Sequence, residues 1–161
     1  MQVEQIMTKD VCSCSPGMNA ATAAELMWNK NCGSIPIVED GGRVVGIVTD
    51  RDLFLALGTS NRRAEELSLG EIMNKDLALC NPGSDVRNAL RTMAQRQLRR
   101  LPVVDDSGAL RGMLSLADVA LRADDELSLD VLNVVRAVCD RRNRRRAAQR
   151  EAFWSEQVAV A

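Results

Sequence analysis

The sequence contains no histidine and no tyrosine, and its aromatic residues are two tryptophans and two phenylalanines. Without histidine, the chain lacks the side chain most often used for proton transfer near neutral pH. It also lacks a phosphate-binding loop and a nucleophile with a suitable base nearby. We therefore expect a protein that is not an enzyme and has no catalytic cofactor.

Long apolar runs are missing as well. No stretch approaches the roughly 18 residues of a membrane span, and the opening MQVEQIMTKD has no basic head followed by an apolar run. The cysteines, at positions 12, 14, 32, 80 and 139, are odd in number and scattered, which favours reduced thiols over a disulfide framework. We expect a cytoplasmic protein without membrane contact.

A metal site has little support in the sequence. The CSC motif at residues 12–14 lacks the CxxC spacing of zinc sites, and no histidine is available as a second ligand type. The simpler interpretation is that these cysteines are small apolar residues in a strand. We expect no bound metal.

The composition is that of a globular domain with an aliphatic core. Of the 161 residues, 46% are apolar, 27% charged and only 2% aromatic. This length fits one compact domain or two closely packed halves. The formal charge of −1 gives no preference for nucleic acid over the chain as a whole.

The chain repeats itself at an offset of 66 residues. Residues 5–53 align without a gap on residues 71–119, and proline, glycine and aspartate fall in register. The residues of the first copy that recur are Ile6, Met7, Lys9, Asp10, Cys14, Pro16, Gly17, Ala23, Met27, Pro36, Val38, Asp40, Gly42, Gly46 and Asp52. The protein is therefore a duplicated unit.

Each copy predicts the order β-α-β-β-α. Short extended stretches at 11–14 and 77–80 run into Pro-Gly turns, and Asn19 and Asp85 stand where helix N-caps are needed. SIPIVED and RLPVVDD begin hairpins that return through RVVGIV and ALRGML. One unit exposes a sheet face that it cannot cover alone, so we expect two units packed as a pseudo-twofold pair.

These patterns divide the chain into four parts. Unit 1 is predicted over residues 1–60, a polar linker over 61–68, unit 2 over 69–123 and a C-terminal helical extension over 124–161. The predicted fold class is mixed, α+β or α/β.

Both units contain a hydroxyl residue followed three places later by aspartate, in GIVTDRD (46–52) and GMLSLAD (112–118). The purely structural interpretation is a capping box at the start of a helix, made by Thr49 with Asp52 and by Ser115 with Asp118. The alternative is a nucleotide site. Phosphate would bind the free amides and the hydroxyl, the aspartate would accept from both ribose hydroxyls, and the preceding glycine would permit close backbone approach.

These paired motifs, together with the two β-branched strands and the IM-x-K-D openings, resemble tandem CBS domains, the Bateman module. The resemblance covers residues 1 to about 122. It implies two CBS repeats with ligand clefts between them that take AMP, ADP, ATP or S-adenosylmethionine. It also implies a homodimer, and a regulatory role exerted on another protein.

Carried over by position, the resemblance assigns phosphate contacts to Thr49 and Ser115 and ribose contacts to Asp52 and Asp118. The base pocket would be lined by the first-strand residues and by those at the start of the second strand: Val11, Cys12, Ser13, Ser34, Ile35 and Pro36 in unit 1, and Leu77, Ala78, Leu79, Arg100, Leu101 and Pro102 in unit 2.

The two copies differ in charge beside the motif. Unit 1 has Asp50 and Arg51 within it, and unit 2 has Arg99 and Arg100 before its strand. A triphosphate finds a cationic partner only if Arg51 or the arginine pair faces the cleft, and the alternative is that these arginines are solvated. We expect two sites of unequal affinity.

Beyond the repeat, Leu127, Val131, Val134, Val135 and Val138 form an apolar stripe at helical spacing. Residues 136–150 then hold seven arginines and one aspartate. The stripe is expected to pack on the module or on a dimer mate while the arginines stay solvated. Docking of a partner protein and sequence-independent binding of nucleic acid remain as alternatives.

The sequence thus supports a sensor of an adenosine-containing ligand that signals to an unidentified partner protein. The alternative, from another class, is a structural or nucleic-acid-binding adaptor that acts through the arginine-rich tail.

Overall fold

The computed structural model describes residues 1–122 and 125–140. Unit 1 contains helix α1 (Ala20–Asn29), strands β1 (Ser34–Val38) and β2 (Val44–Thr49), and helix α2 (Asp50–Ser60). After the linker come α3 (Leu69–Ile72), α4 (Val86–Arg96), β3 (Arg100–Val104), β4 (Leu110–Ser115) and α5 (Leu116–Ala120), and α6 (Asp125–Cys139) begins the C-terminal extension. Short 3₁₀ turns occupy Val3–Gln5 and Ala64–Glu66. The predicted mixed α/β fold with two matching repeats is confirmed, whereas the exact domain limits stay a prediction.

The hairpins and the first helix of each unit form where the sequence predicts them. Strand β1 pairs antiparallel with β2, and β3 pairs with β4 in the equivalent register. Gly42 and Gly108 adopt φ values of 79° and 81° in the hairpin turns, a conformation that costs glycine little. Asn19 caps α1 by accepting from the Thr22 amide at 3.0 Å, and Asp85 caps α4 by accepting from the Arg87 amide at 2.8 Å.

The predicted first strand of each unit is wrong in length, because it consists of a single bridging residue. Cys14 bridges Ile37 in parallel, with hydrogen bonds from the Cys14 amide to the Pro36 carbonyl and from the Val38 amide to the Cys14 carbonyl. In a parallel ladder the next bonds on either side need the amides of Pro36 and Pro16, and proline has none. Cys80 is limited in the same way by the equivalent prolines in unit 2.

The sheet of each unit is extended at its other edge by a segment that comes from outside that unit's hairpin. We call residues 1–8 the first leading segment and residues 67–74 the second. Thr8 exchanges two hydrogen bonds with Met113 of β4, each 2.9 Å long, and Asn74 does the same with Ile47 of β2, at 2.9 and 3.1 Å. Residues 9–13 and 75–79, the crossing segments, then carry the chain over to its own unit. Each leading segment thus completes the sheet of the opposite unit.

The hydrophobic cores show the same exchange. In the part of the chain that the structure describes, the buried apolar residues form two clusters rather than one shared interface. Val3 and Ile6 of the first leading segment belong to the cluster of unit 2, and Leu67 and Leu69 of the second belong to the cluster of unit 1. The units are therefore joined by exchanged segments and not only by two sheet faces packed together.

The hairpins also meet directly. The Val44 amide donates to the Gly108 carbonyl at 3.0 Å, and the Leu110 amide donates to the Gly42 carbonyl at 2.9 Å. The turn glycines of one hairpin therefore accept from the second strand of the other. This contact fixes the two units at a second place, away from the leading segments.

The glycines before the hydroxyl motifs serve this junction, which corrects the expectation that they admit a ligand. A Cβ on Gly46 would overlap the side chain of Met73, and a Cβ on Gly112 would lie 2.7 Å from the Thr8 carbonyl oxygen. The backbone approach that these glycines permit is that of the opposite leading segment.

Helix α6 packs on unit 2, against α4 and α5. Leu127 and Val134 are buried in the unit 2 core, and Val131 and Val138 pack against it. The predicted packing of the stripe on the module is confirmed for these four residues, which follow a narrow seam of three- and four-residue steps. Val135 lies one position off the seam and is 39% exposed, so its packing on a dimer mate stays a prediction.

The junction glycines give a stability prediction with opposite signs at two positions. Replacing Gly112 with alanine should destabilise the protein by about 1–3 kcal/mol, because the added methyl group meets backbone. Replacing Gly58, inside α2 with open space around it, should stabilise the protein by about 0.5–1 kcal/mol. Urea unfolding of both variants measures the difference, and a Gly112→Ala protein as stable as Gly58→Ala would contradict this packing.

Candidate functional site

The hydroxyl motif of unit 1 forms a complete capping box at the start of α2. The Asp52 amide donates to Thr49 Oγ1 at 3.3 Å, while Asp52 Oδ2 accepts from the Thr49 amide at 2.8 Å and from the Thr49 hydroxyl at 2.7 Å. Both side chains are half-buried. The predicted capping role of Thr49 and Asp52 is confirmed.

Unit 2 repeats this arrangement at the start of α5. The Asp118 amide donates to Ser115 Oγ at 3.0 Å, and Asp118 Oδ2 accepts from the Ser115 amide at 2.9 Å and from its hydroxyl at 2.6 Å. The capping role is therefore confirmed in both copies. The two helices differ in length, since α2 has 11 residues and α5 has 5.

Each capping box leaves one carboxylate oxygen available. Within residues 1–122 and 125–140, Oδ1 of Asp52 and Oδ1 of Asp118 accept no hydrogen bond, because the box uses Oδ2 alone. The hydroxyl of Thr49 or Ser115 has a single proton, which points to that Oδ2. Capping and ligand binding thus make different demands on the same side chains, and the carboxylate can serve both.

The strand register places the start of β1 beside the capping box of unit 1 and the start of β3 beside that of unit 2. Ser34 lies opposite Thr49, and Arg100 lies opposite Ser115. The Asp50 amide donates to the Gly33 carbonyl at 3.2 Å, and the Leu116 amide donates to the Arg99 carbonyl at 2.8 Å. Within each unit the structure therefore brings these two groups of predicted site residues together.

Most side chains at the starts of β1 and β3 point into the cores of their units. Ile35 and Leu101 are fully buried in the cores of their units, Pro36 and Pro102 are also buried, and Ser34 is 7% exposed. A ligand beside the start of β1 or β3 would thus meet backbone at Ile35 and Leu101. This arrangement suits recognition of a base by backbone hydrogen bonds more than by side-chain contact.

The remaining candidates for the base pocket lie in the crossing segments. Val11 and Cys12 are half-buried and Ser13 is exposed. In unit 2, Leu77 and Ala78 are half-buried and Leu79 is 38% exposed. These residues span the junction between the units and lead into the bridging residues Cys14 and Cys80.

The arginines beside the motifs are exposed, and one of them reaches the opposite unit. A Cβ on Gly33 would lie 3.1 Å from Asp50 Oδ2 and 3.7 Å from Arg100 Nη1. Arg100 of unit 2 thus approaches the first turn of α2 in unit 1. The Arg51 and Arg99 side chains are exposed as well.

Two shallow hollows lie at the far end of the strands from the capping boxes. One, of about 350 Å³, contains Asn81, Asn88 and Val104 in its lining, and the other, of about 330 Å³, contains Ser15, Val38 and Asp40. Neither includes a residue of the hydroxyl motifs. The first hollow is also lined by Leu79, one of the residues predicted for the base pocket, whereas the polar residues of both hollows carry no recognisable motif.

The bridging cysteines are packing residues at neutral pH. Burial raises the pKa of the Cys80 thiol to about 12, and burial together with the neighbouring Cys32 raises the pKa of Cys14. Over the described ranges, no three histidine, cysteine, aspartate or glutamate residues are placed to hold a metal ion. Among the helices of those ranges, none has the length and apolarity needed to cross a membrane. The arginines at 141–150 lie outside the described residues, so both alternatives for the tail stay predictions.

Comparison with known proteins identifies both halves of the chain. The CBS domain family matches residues 3–59 and 69–124. The CBS domain-containing protein YhcV of Bacillus subtilis is 39% identical over 119 residues, which cover 74% of this chain and 83% of that protein.

Solved structures agree with this match. The structure of CBSX2 in complex with AMP, a protein from Arabidopsis thaliana, is 26% identical, with a TM-score of 0.66 and coverage of 80% of this chain and 97% of that one. The CBS domain pair of MJ0100, in complex with 5′-methylthioadenosine and S-adenosyl-L-methionine, shares the fold. Its TM-score is 0.69 at 24% identity, over 76% of this chain and 94% of that one.

The capping boxes predict a loss of stability that needs no ligand. Thr49→Ala should cost about 1 kcal/mol of unfolding free energy, because an α2 amide loses its acceptor. Thr59→Ala, which removes a hydroxyl that donates to the Leu55 carbonyl within the same helix, should change the unfolding free energy by less than about 0.5 kcal/mol. Urea unfolding compares the two, and equal losses would argue against the cap.

Proposed function

Because the chain belongs to the CBS domain family and carries two such domains in tandem, we propose that it is a regulatory protein that binds an adenosine-containing ligand between them. The observation that carries this proposal is the duplicated capping box, in which Oδ1 of the aspartate accepts no hydrogen bond from the described part of the chain and lies beside a helix N-terminus and a strand start in each unit. The complexes of CBSX2 with AMP and of the MJ0100 pair with S-adenosyl-L-methionine support the ligand class.

The free oxygens define how the ligand binds. Oδ1 of Asp52 or Asp118 accepts hydrogen bonds from the ribose hydroxyls, while Oδ2 keeps the cap. A phosphate lies at the helix N-terminus, where the unpaired amides and the dipole favour an anion. The Thr49 or Ser115 hydroxyl then redirects its proton from the aspartate to the phosphate. The adenine lies beside the crossing segment and is recognised by the backbone at the start of β1 or β3.

The two sites are unequal, and the site at Thr49 is the stronger one for phosphates. Helix α2 is more than twice as long as α5, and Arg51 and Arg100 supply two positive charges that offset the two carboxylates of Asp50 and Asp52. At Ser115, the positions equivalent to Asp50 and Arg51 are occupied by Leu116 and Ala117. A ligand with two or three phosphates therefore prefers the Thr49 site.

The regulatory mechanism is a shift between arrangements of the two units. A ligand that bridges Asp52 of unit 1 and Arg100 of unit 2 favours the arrangement that holds these residues at the right separation. The size of the shift is set by the difference in the ligand's affinity for the two arrangements. The carboxylates hold the ligand through hydrogen bonds, and the role of the protein is regulatory. The regulated target is a separate protein that reads this arrangement.

The active species is proposed to be a homodimer formed through the helices of unit 1. Trp28 on α1 is 86% exposed and Phe54 on α2 is 75% exposed, and these two helices pack against each other. The equivalent positions in unit 2 are Ala94 and Ala120. Exposed aromatic residues are enriched at interfaces between proteins. A second copy of the chain thus covers unit 1, while α6 covers part of unit 2.

Ligand binding is tested by isothermal titration of AMP, ADP, ATP, adenosine and S-adenosylmethionine into the purified protein. Asp52→Asn should weaken ADP binding at the stronger site by roughly 10–100-fold, because the neutral amide loses a charge-assisted contact to the ribose. Arg100→Gln should weaken ADP by roughly 3–10-fold and leave adenosine within about twofold. Asp40→Asn, at an exposed hairpin turn, is the matched control.

Two outcomes would overturn this assignment. If none of the five compounds binds to protein shown to be ligand-free, the hydroxyl motifs are capping boxes alone. If Asp40→Asn and Asp52→Asn lose affinity equally, the site lies elsewhere.

The dimer is tested by sedimentation velocity. The doubly substituted Trp28→Lys/Phe54→Lys protein should sediment as a monomer, because two charges replace the apolar contacts of unit 1. Leu121→Lys/Leu129→Lys, which changes leucines that are 83% and 69% exposed after α5 and on α6, should remain dimeric. A wild-type monomer, or dissociation of the leucine control alone, would contradict the proposed interface.

A further inference from the structure

Two cysteines of unit 1 lie in contact although they are 20 residues apart. Cys12 is in the first crossing segment and Cys32 is in the turn between α1 and β1. Their sulfur atoms are 3.9 Å apart, and both side chains are half-buried. The contact joins two pieces of chain that flank the start of β1.

The equivalent positions in unit 2 show that the fold does not need thiols here. Ala78 and Leu98 occupy the positions that correspond to Cys12 and Cys32, and both pack against the unit 2 core. Cys14, by contrast, recurs as Cys80, and both are bridging residues beside a strand. Packing therefore accounts for the Cys14 and Cys80 pair, whereas an alanine and a leucine would satisfy the packing at positions 12 and 32.

We propose that Cys12 and Cys32 form an oxidation site, which a peroxide converts into an intrachain disulfide. One thiol reduces hydrogen peroxide to water and becomes a sulfenic acid. The second thiol attacks that sulfur, and a second water leaves as the S–S bond forms. Overall, two thiols and one peroxide give one disulfide and two waters. The sulfurs must approach from 3.9 Å to about 2.0 Å.

The environment of the pair sets the conditions for this reaction. Burial and the neighbouring Cys32 raise the pKa of Cys12 to about 11, so that thiol is protonated at neutral pH. The thiolate is the form that attacks peroxide, and the reaction therefore speeds up as the pH rises from 7 towards 11. Attack on peroxide by Cys12 is therefore slow at pH 7.

The disulfide would tie the first crossing segment to the turn before β1. Val11–Ser13 and Ser34–Pro36, the two walls of the proposed base pocket in unit 1, lie on the two sides of this link. Closing it draws the two walls together, because the sulfur atoms must approach from 3.9 Å to about 2.0 Å, so oxidation is expected to weaken ADP binding at the Thr49 site severalfold. This consequence rests on the proposed function, whereas the oxidation site itself does not.

The oxidation site is tested on the full chain carrying Cys139→Ser, which removes the exposed thiol. The protein is treated with hydrogen peroxide at pH 8.5, alkylated and digested with trypsin. We expect a cross-link, two hydrogen atoms lighter than its parts, between peptides 10–30 and 31–43, and its loss after dithiothreitol.

Because peptide 10–30 contains both Cys12 and Cys14, two variants decide which thiol reacts. Cys12→Ala, which places in unit 1 the residue that unit 2 has, should abolish the cross-link, and Cys14→Ala should retain it. A cross-link that persists in Cys12→Ala, or no cross-link in protein whose Cys32 is fully alkylated when reduced, would overturn the proposal.

The effect on the ligand is measured separately, by titrating ADP into reduced and oxidised protein. Oxidation should weaken binding at least threefold in the Cys139→Ser protein and leave it unchanged when Cys32→Ala is added. Cross-linking without a change in affinity would contradict the coupling to the base pocket. If the reduced protein binds none of the five adenosine compounds, the proposed function fails while the cross-linking result stands.

Discussion

Two glycines in the middle of β2 and β4 set the distance at which the halves of this protein meet. Gly46 lies against Met73 and Gly112 lies against Thr8, so each leading segment is in direct contact with the sheet of the opposite unit. The hydrogen bonds of Thr8 with Met113 and of Asn74 with Ile47 extend each sheet by one residue of the exchanged segment. Neither unit has a complete sheet edge or a complete core without the other.

This exchange also positions the candidate site. Each leading segment joins the sheet edge of the opposite unit, and the chain must then cross the junction to reach its own unit. The crossing segments that make this passage carry the residues proposed to face the base. The hairpin contact at Gly42 and Gly108 holds the units at a second place. At the end of the strands opposite the hairpin turns, Arg100 of unit 2 approaches the first turn of α2 in unit 1. A ligand held at that turn would therefore contact both units.

Features with local causes were predictable from the sequence. The capping boxes, the N-caps Asn19 and Asp85 and the hairpin turns depend on residues within a few positions of each other, and each formed as expected. The first strands were overestimated, because their length depends on which partner residues can donate, and Pro36 and Pro102 cannot. The exchange was not predicted, since a single bridging residue such as Thr8 leaves no strand pattern. Its one sequence signal was that a methionine and a glycine recur together. Met7 recurs as Met73 and Gly46 recurs as Gly112, and each methionine packs against the glycine of the other copy.

Hydrogen exchange at the Ile47 and Met113 amides, measured with and without saturating ADP, tests most directly whether a ligand binds the assembled pair of units. Each of these amides donates to the leading segment of the opposite unit. If the ligand binds only when both units are in place, both amides should exchange with the same free energy of opening. ADP should then raise both values by the same amount, since it stabilises only the assembled state. Protection that increases at Ile47 while Met113 stays unchanged would contradict the account, because it would mean that the units open and bind independently.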